Sequence, residues 1–265
     1  PIIRKEFVEP LVPRGKANLE KIGIEFPVRI IYSLIGFPED PDMIKQFAAW
    51  ALTILAGPQI DPKKAAEAQK AALEAAKNLY DAIRPIVKQR RAQGTEGSDL
   101  ISHLIRAEHE GRHLDDHEIT TFVRSLLPAA SETTTRTFGT LMTLLLERPE
   151  LLDRIRADRK LIPKAIDEAV RYEPVATFKV RQTARDTEIR GVHIPKGAMV
   201  SCIISSANRD EDIFPDADQF LIDRPRKTNL GFGFGPHMCI GMGVAIAELD
   251  SVVNAILDLL PNIRF

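Results

Sequence analysis

Cys239 closes a glycine-rich stretch, Gly231-Phe-Gly-Phe-Gly-Pro-His-Met-Cys-Ile-Gly241, just ahead of an apolar helical pattern. A helix N-terminus favours negative charge, so the dipole biases this sulfur toward thiolate. A thiolate there is a nucleophile or a metal ligand. The bland alternative is a buried, inert cysteine acting as a small hydrophobe. A phosphate loop is excluded, because the stretch fails G-x-G-x-x-G in every register and no Gly-Lys-Ser/Thr follows. Cys202, the other cysteine, lies in an apolar strand pattern and reads as core.

A second chemical feature is Leu127-Pro-Ala-Ala-Ser-Glu-Thr-Thr-Thr135, inside a long helical pattern. Pro128 removes the amide that would serve the carbonyl of Arg124, at a cost of ~3 kcal/mol. The Thr133 hydroxyl is expected to bond back to the Ala129 carbonyl and bend the helix. The expected result is an opened groove beside a hydroxyl and the Glu132 carboxylate, with Ala129 and Ala130 leaving the backbone approachable. The alternative is a tolerated kink.

Helices must carry these residues. Residues 63–92 are rich in Ala, Lys, Glu and Gln and read as helix, with Pro85 expected to kink or divide it. A short helix is expected over 99–109, a loop over 111–115, and one long helix over 116–147 ended by Pro149. Helices near 150–158 and 163–172 follow, the second stopped by Pro174. Short strands are expected at 178–184, 188–193 and 199–205, with turns at Gly191 and Pro195-Lys196-Gly197. Residues 206–238 read as loop and 241–259 as a final helix. The fold class is therefore mainly α with a small antiparallel β region.

The 265 residues allow one large domain or two small ones. Thirty-six Lys and Arg against 37 Asp and Glu leave a net charge of −1, with no bias toward nucleic acid or anionic membrane. No stretch reaches the ~20 apolar residues of a bilayer span. Two cysteines outside any CxxC spacing exclude a disulfide framework and a cysteine-rich zinc site, and point to reducing, cytoplasmic residence. No repeat is present. The start lacks an initiator Met and an apolar leader, so the sequence is expected to be a fragment or an abridged chain.

Taken together, the motifs carry a resemblance. Phe232-Gly-Phe-Gly-Pro-His-Met-Cys-Ile-Gly241 resembles the haem-binding signature of cytochromes P450 at every fixed position. Ala129-Ala-Ser-Glu-Thr133 resembles the family's oxygen-activation motif, with Ala130 where Gly is commoner. Glu168-Ala-Val-Arg171 resembles its ExxR pair, and Phe220-Leu-Ile-Asp-Arg224 its Phe-x-x-x-Arg meander. The resemblance runs from about Glu25 onward and is closest to the soluble bacterial type. It implies a single P450 domain over 1–265 lacking its N-terminal part. Within it, 116–147 is the oxygen-activation helix, and 228–259 holds the cysteine loop and the following helix.

The resemblance further implies haem b (iron protoporphyrin IX) with Cys239 as its axial metal ligand. Phe232 packs near the sulfur, while Gly233 and Gly241 let the loop pass under the porphyrin. Ala129 borders the cofactor. His237 and Arg181 match propionate-binding positions, and Arg4 is a weaker third match. Glu132 and Thr133 are the catalytic pair that delivers protons for O–O cleavage. Glu168, Arg171 and Arg224 form a structural ion network. Leu126, Val175, Thr177 and Phe178 are expected to line the substrate pocket. Lys179 either attracts an acidic substrate or is simply solvated.

The implied function is a haem-thiolate monooxygenase acting on a small hydrophobic substrate. A ferredoxin or flavodoxin-type donor is its partner, steered by Arg226 and Lys227. Neither nucleic acid nor membrane is a partner, and the protein is expected to be a monomer. The alternatives are a peroxide-driven peroxygenase, against which the Glu132-Thr133 pair argues, and a non-catalytic haem-binding fragment.

Overall fold

The computed structural model describes residues 1–56, 61–94, 96–225 and 227–265. The chain divides into two compact units, Pro1–Thr135 and Arg136–Phe265.

The first unit opens with a π-helical turn, Ile3–Val8, and a 3₁₀ segment, Glu9–Arg14. Helix α1 (Leu19–Ile35) starts at Asn18, whose side-chain oxygen accepts from the Glu20 amide at 2.9 Å, and stops at left-handed Gly36. Helix α2 (Pro41–Leu55) is capped by Asp40, with proline at the first turn, where its missing N–H costs nothing. Then follow α3 (Pro62–Gln93), α4 (Leu100–Arg106) and a small hairpin, β1 (Glu108–His109) with β2 (Arg112–His113). Helix α5 (Asp116–Leu146) begins at a reciprocal cap: the Glu118 amide donates to Asp115 at 2.7 Å, and the Asp115 amide to Glu118 at 2.9 Å. Ile31, Ile35 and Phe47 from α1 and α2 are buried with Leu79, Ile83, Val87, Ile101, Ile119 and Leu127 in one cluster. Burying these apolar stripes is what stabilises the helices.

The boundary between the units falls within α5. The second unit contains α6 (Pro149–Ala157), α7 (Ile162–Tyr172), β3 (Phe178–Gln182), β4 (Thr187–Ile189), β5 (Val192–Ile194) and β6 (Met199–Ile203). After these come the short α8 (Ile204–Ala207), a 3₁₀ turn at Gly235–His237 and α9 (Met242–Leu259). Strands β3 and β6 pair antiparallel, with Lys179 opposite Cys202 and Arg181 opposite Val200; β4 and β5 form a hairpin. Among the described residues, no helix is long and apolar enough to cross a membrane.

Several expectations are corrected. Pro85 does not divide α3: it is exposed, while Ile83 and Val87 beside it are fully buried, so packing holds the helix through the lost hydrogen bond. Pro149 opens α6 rather than merely ending α5. The 99–109 helix stops at Arg106, because left-handed Glu110 and Gly111 turn the chain into a hairpin. The strand expected over 188–193 is the hairpin of β4 and β5, turning at left-handed Arg190 and Gly191. Cys202 is exposed, not core, since both faces of its two-stranded ribbon are open.

Candidate active site

Helix α7 buries an apolar stripe together with two charged side chains, Glu168 and Arg171. Three residues apart, they share one helix face. Arg171 Nε donates to Glu168 Oε2 at 2.8 Å, and Nη2 to Oε1 at 2.7 Å. The other guanidinium protons serve the carbonyls of Asn208 and Ala217 at 2.9 Å and Gln219 at 3.0 Å. All five donors of the guanidinium are therefore used. Glu168 Oε1 also accepts from Arg224 Nε at 3.3 Å and from the Leu221 amide at 3.0 Å. Arg224 in turn donates to the carbonyls of Pro215, Asp216 and Gln219. This network ties the irregular segment 208–224 to α7.

The cysteine loop starts from the same anchor. Asn208, fully buried, accepts from the Leu230 amide at 2.8 Å. Asn229 reaches Asp167 on α7 at 3.1 Å and accepts from the Gly231 amide at 2.9 Å. A Cβ on Gly231 would lie 2.3 Å from Val170 Cγ1 and 2.8 Å from the Val170 carbonyl oxygen, so only glycine lets the loop lie against α7. Left-handed Gly233 and Gly235 then turn the chain, and the Cys239 amide donates to the Phe232 carbonyl at 2.8 Å. These bonds deliver Cys239 to the start of α9.

Sequence reasoning missed Asn208 and Asn229. Asn229 carried a signal, an Asx turn two residues ahead of a glycine. Asn208 carried none, because its partners are distant in sequence.

Cys239 is exposed, and so are Phe234 (76%), Met238 (47%) and Ile240 (79%) around it, while Phe232 is half-buried. His237 is exposed in the 3₁₀ turn. Arg181 is exposed on β3 and bonds only the adjacent Val180 carbonyl, at 2.9 Å, among the contacts described. Val175 is half-buried, whereas Thr177, Phe178 and Lys179 are exposed. Lys227 donates to the Ile213 carbonyl at 2.6 Å, and Arg226 lies outside the described residues.

In the first unit, α5 is helical straight through buried Pro128. Around this proline, Ser131 bonds back to the Leu127 carbonyl at 2.6 Å and Thr133 to that of Ala129 at 2.7 Å, while Thr135 Oγ1 lies 2.7 Å from the Ser131 carbonyl oxygen. Ala129 and Thr133 are exposed, Glu132 and Leu126 half-buried. Arg4 makes an ion pair with Glu9 at 3.6 Å within the N-terminal turns.

The sequence matches the family model for Cytochrome P450 over residues 42–259. The chain belongs to the cytochrome P450 family. It is 32% identical to the pulcherriminic acid synthase of Bacillus subtilis, with all of this chain aligned to 67% of that protein. It is 35% identical to the mycinamicin IV hydroxylase/epoxidase of Micromonospora griseorubida, over 99% of this chain and 64% of the relative. The crystal structure of CYP109E1 from Bacillus megaterium in complex with testosterone superposes with a TM-score of 0.88 at 26% identity, covering 99% of this chain and 70% of that one. This P450 chain thus spans about two thirds of the length of the proteins it matches.

Cytochromes P450 carry haem b, held by a cysteine thiolate. The residues of the second unit fit that group. An accessible sulfur lies just ahead of a helix start, and the exposed apolar side chains Phe234, Met238 and Ile240 of the same loop suit the face of an apolar macrocycle. The exposed Arg181 guanidinium and the exposed His237 ring N–H are donors that suit its two carboxylates.

Proposed function

We propose that this chain is the larger part of a haem-thiolate monooxygenase, which inserts one atom of O2 into a small, mostly apolar organic substrate. Its electrons come from a ferredoxin or flavodoxin-type donor. The observation that carries the reading is the exposed Cys239, set by α7 and the Asn208 anchor at the start of α9. When bound, haem supplies the iron centre at which O2 is reduced and activated.

The chain's own residues do the rest. Cys239 would hold the haem iron through its sulfur. Phe234, Met238 and Ile240 would offer the bound ring an apolar surface and help keep water from the sulfur. Phe232 and Gly241 would lie on the cofactor's side of the cysteine loop, and Ala129 is the small residue proposed to border the cofactor from α5. Arg181 and His237 hold the propionates. Thr133 Oγ1 places its own proton on the Ala129 carbonyl, so its lone pairs face outward to accept a hydrogen bond from a water. The neighbouring Glu132 side chain would relay protons to that water, taking one up from solvent for each one it passes on. Glu168, Arg171 and Arg224 act on structure, keeping segment 208–224 and the loop origin on α7.

Leu126, Val175, Thr177 and Phe178 are the proposed substrate-facing residues, with Lys179 at the margin. The relatives named as a mycinamicin IV hydroxylase/epoxidase and crystallised with testosterone support an organic molecule as substrate. The test is a reduced, carbon-monoxide difference spectrum of the full-length protein. A strongly red-shifted Soret band, lost in Cys239→Ala, is expected; haem bound without that shift refutes the thiolate assignment. Turnover with a reduced ferredoxin but not with peroxide alone separates monooxygenase from peroxygenase.

A further inference from the structure

Pro27 and Pro128 each take a backbone donor out of a helix, and one hydroxyl serves the carbonyl that Pro27 leaves without one. Pro27 lies inside α1 and has no N–H, so the Gly23 carbonyl four residues earlier loses its intrahelical donor. The pyrrolidine ring also crowds that carbonyl and tilts it outward. Gly23 is buried, so water cannot compensate, and an unserved buried carbonyl costs about as much as a lost hydrogen bond. Thr135 Oγ1, on α5, lies 2.7 Å from the Gly23 oxygen. It is also 2.7 Å from the Ser131 oxygen. A hydroxyl has one proton, so the two carbonyls compete for it. Ser131 sits in unbroken helix, where the Thr135 amide already serves its carbonyl. The need is at Gly23, and the proton goes there.

The location gives this bond its interest. Thr135 follows Thr133 by two residues, about 200° around the helix. Thr133 faces outward and Thr135 faces α1. The turn carrying Glu132 and Thr133 is thus clamped from behind, just past the stretch where Pro128 removes a backbone bond from α5.

We propose that Thr135 is a positioning residue, locking the Glu132–Thr133 turn of α5 to the carbonyl that Pro27 leaves open in α1. The proposal rests on the reading of Thr133 as the oxygen-activation hydroxyl. It adds a residue that touches neither substrate nor cofactor but fixes the direction of one that does.

The test uses the haem-loaded, full-length protein and a mutant cycle. Thr135→Val keeps the shape and removes the donor. Thr135→Ser keeps the donor. Pro27→Ala restores an amide for the Gly23 carbonyl. Thr135→Val is expected to lower the folding equilibrium constant about tenfold in a urea titration. In the Pro27→Ala background the same substitution should cost much less. Equal losses in both backgrounds overturn the bond. The positioning role is read from product formed per O2 consumed. Thr135→Val should lower this ratio several-fold with substrate Kd unchanged, and Thr135→Ser should restore it.

Thr133→Ala is the reference. If it uncouples while Thr135→Val stays coupled, the positioning role falls and the reading of Thr133 stands. If Thr133→Ala remains fully coupled, that reading falls and takes the positioning role with it. Should Thr135→Val not fold, folding rescued by Pro27→Ala supports the clamp, and failure in both backgrounds overturns it.

Discussion

Arg171 and Glu168 face each other through two hydrogen bonds of 2.7 and 2.8 Å, with side chains only 2% and 6% exposed. Removing one partner strands the other as a buried charge. Arg171→Leu is expected to destabilise the protein by about 3–5 kcal/mol. Lysine should not rescue it, because an ammonium has three donors and the site uses five. Urea unfolding of Arg171→Leu and Arg171→Lys, read beside haem retention, checks this; a wild-type midpoint for the lysine variant would count against the five-acceptor account.

Gly231→Ala places a methyl 2.8 Å from the Val170 carbonyl oxygen, on helical backbone that cannot yield easily. The loop must lift from α7, and Cys239 moves with it. The expected outcome is a reduced thiolate-type fraction in the carbon-monoxide spectrum and a lower Tm. Gly235→Ala meets no atom within 4 Å, and its cost is confined to the left-handed φ of 71°. A Gly231→Ala spectrum matching that of Gly235→Ala would contradict the close-approach explanation.

Glu248 is buried on α9, and burial pushes its carboxyl up from 4.5 to about 8. Between those values the folded state keeps a proton that the unfolded chain has released. Stability therefore falls as pH rises through that window, by an amount on the order of a few kcal/mol. Glu248→Gln should flatten the slope in denaturant midpoints measured across the window. A slope unchanged in the variant assigns the pH dependence elsewhere.

Asp99 has the opposite sign. Its burial opposes the charge. The Ser102 amide at 3.0 Å, the Ser102 hydroxyl at 2.7 Å and the Arg90 guanidinium outweigh it and hold the carboxyl below its usual value. Stability from these bonds is present above the ordinary aspartate range and is lost as pH falls through the lowered value. Asp99→Ala also uncaps α4 and leaves Arg90 with only Ser102 and the Gly36 carbonyl as partners among the described residues, with an expected loss of about 2 kcal/mol. Thermal unfolding at neutral and acidic pH should show the two proteins converging in acid.

The family, the mainly helical class and the long α5 were legible because their signals are local. The cysteine loop is a run of turn residues at fixed spacing. Glu168 and Arg171 sit three apart on a helix, and Thr133 lies four residues past the carbonyl it bonds. Helices α1 and α2 went unread: Pro27 interrupts one pattern, and α2 shows only a short apolar run. Asn208 was invisible because its side chain serves an amide 22 residues away. Pro85 misled because its penalty depends on which way the helix faces, and that is set by α2 packing against α3. Cys202 misled for a similar reason, since an apolar strand pattern does not say whether anything covers the strand.

The ribbon of β3 and β6 has a consequence in time. Two strands alone are marginal in water, and every residue of β3 is exposed. Its five amides should exchange hydrogen for deuterium faster than those of α7, whose apolar stripe is buried. Phe178 and Arg181 both ride on β3, so with the roles proposed for them, the dwell time of what they hold would be tied to how often this ribbon opens.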